Sequence, residues 1–294
     1  MVRIMLKKLC FYAVLLLCWL SHSAYAQTQV QILTTNADES SGMLAYLTKQ
    51  LKDEANVFIA DTPKAQAELL IVFGYDKAQQ LPTSRVPALF VLAQPSDISI
   101  EKNDGVLYWT PSLAAQLALI KEIQPAVNKI GMLANPQNED LSWLRSFKQY
   151  ALEQGVEVRV QTVDKSRIGR QVSDLAVSTD ILLAQPDTYI YNRETIRFIL
   201  LAAYRQNKVL IGPSPAFVNA GGLASLYASS ESIYEELAQQ IKQFISTRKL
   251  TSATRVKKMT VSFNPQVAKS LGLIIPDIKQ VEQKIQKKEL PSWP

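Results

Sequence analysis

Apolar and polar residues alternate along this chain in two rhythms. Short, largely apolar runs occur at Val30–Leu33, Val57–Ala60, Leu69–Phe73, Ala88–Leu92 and Val106–Trp109. They are rich in Val, Ile, Leu and aromatics, as strands covered on both faces must be. Between them the apolar period lengthens to that of a helix. Ser41–Leu51 carries Met43, Leu44, Leu47 and Leu51, and Leu113–Ile123 follows Ser112, an N-cap candidate, and stops before Pro125. A second series repeats the plan. Ile130–Leu133, Val156–Val163, Ile181–Ala184, Val209–Ile211 and Leu223–Tyr227 predict strands. Leu141–Leu152 predicts a helix with Leu141, Leu144, Phe147 (or Phe147 with Ala151) and Leu152 on one side, stopped by Gly155. Asn192 is placed to cap a helix over Arg193–Arg205. In Val156–Val163, Glu157, Arg159 and Gln161 alternate with apolar residues, which predicts an edge strand.

Two consecutive strand–helix series predict an α/β chain of two Rossmann-like lobes with parallel sheets joined by a hinge. One large doubly wound domain is the rival. Gln124–Asn128, which contains Pro125, is the expected joint. The first lobe then covers 27–124 and the second 125–229. The tail continues with a helix capped by Ser229 or Ser230, a strand at Met259–Phe263, and Asn264-Pro265…Gly272, a cap, a first-turn proline and a stop. About 230–252 is expected to return to the first lobe and about 253–294 to the second.

The N-terminus reads differently. Arg3, Lys7 and Lys8 precede an apolar stretch, Leu9–Leu20, and Ala24-Tyr25-Ala26 has the small-x-small form of a signal-peptidase site. Residues 1–26 are therefore expected to be a secretory signal and the protein periplasmic. An uncleaved anchor is the alternative, although the stretch is shorter than the roughly 20 residues of a membrane span. Cys18 lacks the small preceding residue that lipid attachment needs. Removal of the signal leaves 268 residues without Cys10, Cys18 or His22, the chain's only cysteines and histidine. Thiol nucleophiles, histidine general bases, disulfides and the common zinc sites go with them. The formal charge falls from +6 to +3, which gives no support to nucleic-acid binding. Lys284–Lys288 reads as a solvated helix end.

In open parallel sheets, ligands sit at the carboxyl ends of strands. Those ends carry Asn36, Tyr75, Gln94, Asn135, Gln185, Asp187, Ser214 and Tyr227. Amides, hydroxyls and tyrosines hold a solute rather than break its bonds. Asp187 reads as a ligand contact or as a turn residue. Ser40-Ser41 reads as a helix cap and Asp76 as a turn or cap residue. Gly221-Gly222 reads as a turn, and Trp109 as core. No dinucleotide or Walker motif occurs, so no cofactor is expected.

"LALIKEIQPAVNKIGMLANPQNE", "TDILLAQPDTYIYN" and "VSFNPQVAKSLGLIIPD" resemble the substrate-binding proteins of ABC transporters, specifically the tryptophan/tyrosine-binding kind. The matching positions are Pro125, Ile130–Pro136, Asp180–Asp187, Asn264, Ala268, Leu271, Gly272 and Pro276, within roughly residues 110–278. Where the family has a threonine-glycine stretch before the last helix of the first lobe, this chain has "NDGVLYWTPSLAAQ". The resemblance implies a type I periplasmic binding protein that closes on a small organic solute, such as an amino acid, with no cofactor; the missing histidine and cysteine argue against an enzyme, and a monomer is expected. It implies an ABC permease as partner. A sensory adapter docking on a membrane signalling protein is the alternative.

Overall fold

The computed structural model describes residues 27–35, 37–81, 85–93, 98, 100–137 and 142–288. The expected signal peptide lies outside them. The first sheet is built from β1 (Thr28–Leu33), β2 (Ala55–Ile59), β3 (Leu69–Phe73), β4 (Ala88–Leu92) and β5 (Gly105–Tyr108), joined late by β11 (Thr254–Arg255). The second contains β6 (Lys129–Ala134), β7 (Glu157–Thr162), β8 (Ile181–Leu183), β9 (Leu210–Gly212), β10 (Ala224–Tyr227) and β12 (Thr260–Phe263). Their orders correspond strand for strand: β2-β1-β3-β4-β5-β11 and β7-β6-β8-β9-β10-β12. Ladders are parallel except β10–β12. The two-lobe expectation holds, and the rival single sheet fails.

Burial explains the pattern. Every residue of β4 is buried, because helices cover both faces of a central strand. At the edge of its sheet β7 is less covered: Val158 is buried, Glu157 and Thr162 are exposed, and the residues between are half-buried. The helices, in chain order, are α1 (Ala37–Gln50), α2 (Tyr75–Gln80), α3 (Leu113–Ile123), α4 (Ser142–Glu153), α5 (Ile168–Val177), α6 (Ile196–Arg205), α7 (Pro215–Asn219), α8 (Ser230–Thr247), α9 (Pro265–Ser270) and α10 (Ile278–Lys288).

Several helices depart from expectation. In α1 the helix begins before Ser40 and Ser41, which lie inside it rather than at its cap. In α4 the buried stripe is Trp143, Phe147 and Ala151, with Trp143 stacked on Phe147 at 5.3 Å; Leu152, expected inside, is 69% exposed. An i, i+4 stripe led by the larger ring displaces the leucine phase. Asn192 does not start a long helix. Its carboxamide oxygen accepts from the backbone N–H of Glu194 and Thr195, shaping a turn, and α6 begins only at Ile196. α5, preceded by a 3-10 turn over Lys165–Arg167, occupies a segment to which the sequence pattern assigns no element. Asn264 caps α9 by accepting from Gln266 and Val267 N–H, Pro265 opens the helix, and Gly272 leaves it at φ 66°.

Three segments cross between the sheets: 109–112, 228–229 and 256–259. The expected joint at Gln124–Asn128 is not among them. Helix α3 packs on α4 and α10. Its Glu122 meets Lys284 at 2.8 Å, and Lys121 donates to the Gln154 carbonyl. The apolar face of α3 thus meets second-lobe helices, and the chain crosses before α3 rather than after it. α8 lies against α1, and ion pairs Lys242–Glu54 and Arg248–Glu68 tie it to the first lobe. The first and third crossings are tied together where the Arg255 guanidinium donates to the Thr110 carbonyl and lies over the Tyr108 ring.

Candidate functional site

A solvent-open hollow lies where the first crossing meets the carboxyl ends of β8 and β9. Thr110 and Pro111 come from the crossing, and Gln116 and Leu119 from α3. Leu183–Pro186 and Ile211–Pro213 come from the two strand ends, and Leu226 from β10. The lining is apolar apart from Thr110 and two carboxamides, with no charged side chain among the described residues. Ser112 holds the start of α3 by accepting from Ala115 N–H, so the first turn of that helix presents Gln116 to the hollow.

The two carboxamides form a chain of fixed polarity. Gln116 is 6% exposed, and its Nε2 donates to the Pro111 carbonyl at 3.0 Å. A carbonyl can only accept, so the Oε1 of Gln116 must be the end that faces Gln185. Gln185 Nε2 donates to it at 2.7 Å. The Oε1 of Gln185 is then the end left as an acceptor at the hollow.

Asn135 and Asp187 stand together at the neighbouring ends of β6 and β8. Asn135 Nδ2 donates to Asp187 Oδ1 at 3.4 Å, and Asn135 Oδ1 accepts from Gln137 N–H. The same Asp187 oxygen accepts from Ile190 N–H at 3.0 Å, and the Asp187 carbonyl accepts from Tyr191 N–H. Asp187 is therefore a turn-forming residue whose carboxylate also holds Asn135. Burial first, and then the charge of Asp187, push the Tyr191 phenol far above its ordinary range, so it stays neutral. Tyr191 packs edge-on against Phe217 at 5.6 Å in the core, and Lys165 stands over the Tyr189 ring at 3.9 Å.

Of the expected residues that the structure describes, only Gln185 lines the hollow. Ser214 spends its hydroxyl capping α7 at Phe217 N–H, and its neighbour Pro213 lines instead. Tyr227 is half-buried at the end of β10, one residue past the lining Leu226. Tyr75 is 40% exposed on α2, where its hydroxyl accepts from Gln79. Asn36 and Gln94 lie outside the described residues. Asp76 sits in the first turn of α2, Gly221-Gly222 forms a turn before β10, and Trp109 packs on the core. Sequence reasoning missed Thr110, Pro111 and Gln116. The available signal was Gln116 itself, a lone carboxamide inside the apolar run "LAAQLALI".

Two parallel-sheet lobes, three crossings and a solvent-open hollow at the strand ends define a two-lobe solute-binding protein. The chain belongs to the ABC transporter substrate binding protein family, whose model matches residues 20–285. The family consists of extracytoplasmic binding proteins that take a small ligand between two lobes. No curated protein sequence matches the chain. Among solved structures, a conserved domain protein from Vibrio cholerae is similar at 19% identity and TM-score 0.62, covering 90% of this chain and 98% of that one. A domain from Streptococcus pneumoniae in complex with L-Trp is similar at 17% identity and TM-score 0.60, covering 90% and 99%. A ligand-free, open substrate binding protein with adhesive properties from Clostridium difficile is similar at 16% identity and TM-score 0.68, covering 85% and 96%. At these identities the likeness is one of fold.

Proposed function

We propose that the protein receives a small, neutral or zwitterionic organic solute with an apolar body and delivers it to an ABC permease. The observation that carries this reading is the lining: apolar side chains around a carboxamide pair, with no charge among the described residues to match a charged side group. Burying an unpaired charge there would cost far more than the apolar contacts return. The acceptor left on Gln185 favours a solute with an N–H or O–H donor. Aromatic amino acids combine that body with that donor, and the resemblance to tryptophan/tyrosine-binding proteins supports them as first candidates. In this reading Asp187 and Asn135 receive the ammonium group at the edge of the hollow. Asn36 and Gln94, which follow β1 and β4 in the sequence, are the candidates for solute contact from the first lobe. Lobe closure follows because a solute that contacts both lobes binds the closed state better than the open one.

Calorimetric titration with tryptophan, tyrosine, phenylalanine, leucine, glutamate, lysine and ribose tests the reading. Saturable binding of the neutral, apolar amino acids alone is expected. Preference for glutamate or lysine would sink it, as would binding of ribose alone.

A further inference from the structure

Helix α6 is apolar on nearly every side: "IRFILLAAYR". One side is accounted for, since Ile199, Ala202 and Ala203 enter the core that also holds α5, Leu182, Ala184 and Leu210. The other side is not. Phe198, Leu201 and Tyr204 recur every third residue and are 58%, 42% and 49% exposed. The spacing sets them along one face over about 9 Å. This face lies across the second sheet from the solute hollow, because the neighbouring strand residues Leu183 and Ile211 point to the opposite core.

The charges beside the stripe are mostly of one sign. Between Thr188 and Val209 the basic residues are Arg193, Arg197, Arg205 and Lys208, and the only acid is Glu194. Arg193, Arg197 and Arg205 are exposed and belong to no ion pair among the described residues. A second copy would bring these arginines against their own kind. A stable protein partner needs roughly 800 Å² on each side, well beyond three side chains on one convex helix. A fluid anionic surface needs no matching shape and supplies the missing charge. Apolar and aromatic groups interleaved with arginine are what a bilayer interface accepts.

We propose that the outer face of α6 rests on an anionic phospholipid bilayer, with Phe198, Leu201 and Tyr204 entering the headgroup boundary and Arg193, Arg197 and Arg205 meeting phosphate. The contact is weak and reversible, and it is independent of the solute cleft.

The test is co-sedimentation of the full chain with phosphatidylcholine vesicles, with and without phosphatidylglycerol. The segment Leu9–Leu20 is common to every variant, so differences among variants read α6 alone. Partition onto phosphatidylglycerol vesicles is expected to exceed that onto phosphatidylcholine and to fall with added salt. Arg197→Glu should lower it about fivefold or more. Phe198→Ser with Leu201→Ser should lower it comparably while the thermal unfolding midpoint holds. Equal partition on both vesicle types, equal partition of wild type and variants, or no partition overturns the proposal. If there is none, a concentration-dependent dimer that the serine variant dissolves assigns the face to a second copy instead.

Discussion

Asp187 has a structural duty as a turn residue, and the solute contact proposed for it is a second one. Its carboxylate is already engaged by Ile190 N–H and Asn135. Asp187→Ala is therefore expected to lower stability by about 1 kcal/mol, the usual cost of losing such a local acceptor. Asp187→Asn keeps a side-chain oxygen and should recover most of that loss in the urea midpoint. Under the proposed function both variants weaken solute binding, because both lose the negative charge. Gln116 carries the sharper prediction. Gln116→Leu keeps the bulk but leaves the Pro111 carbonyl and the Gln185 amide without partners, at a cost of about 1–3 kcal/mol in chemical denaturation. The same substitution frees Gln185 to rotate, and solute affinity should fall with it. Retained affinity in that variant would show that the polarity of the carboxamide chain is irrelevant to recognition.

Among the elements, the ones that announce themselves are those with two independent signals. α9 has a cap, a first-turn proline and a stop glycine, and it forms where they place it. Asn264 does more than cap, since its Nδ2 also donates to the Val218 carbonyl and so pins α9 to the end of α7. Asn264→Ala is expected to cost about 1–2 kcal/mol, readable as a lower thermal midpoint. β3 and β4 were equally legible, because cover on both faces leaves each an uninterrupted apolar run. Other elements gave weaker signals. α5 mixes Gly169, Arg170 and Asp174 into its first turns, among the Ile168, Val172, Leu175 and Ala176 that mark its buried face. β11 has two residues, both half-buried, and exists because β5 offers a free edge. The hollow was legible only in part for a related reason. The rule of strand ends finds Gln185, whereas Thr110, Pro111 and Gln116 enter by way of a crossing whose position no local pattern reveals.

At the scale of the molecule, the two sheets share one plan and exchange chain three times. Tight packing where the chain returns to the first lobe is the price of that exchange. A Cβ on Gly105 would stand 2.6 Å from the Thr251 carbonyl, a backbone atom that cannot swing aside. Gly105→Ala should therefore push the returning strand off β5 and destabilise the protein by about 1–3 kcal/mol in chemical denaturation. Small-angle scattering should also show the proposed solute reducing the radius of gyration as the lobes close, and an unchanged radius would argue against closure. The pairing of Thr254 with Leu107 has a further consequence for the order in which the chain is made. The first lobe cannot complete its sheet until the residues near 254 have been synthesised, and α3 lacks its neighbour α10 until 278–288 follow. Contacts so distant in sequence form slowly, because a long loop must close before they bring any gain. A nascent chain of this design lacks part of its packing until helix α10 is available. That is the condition in which a polypeptide can still be threaded through a membrane.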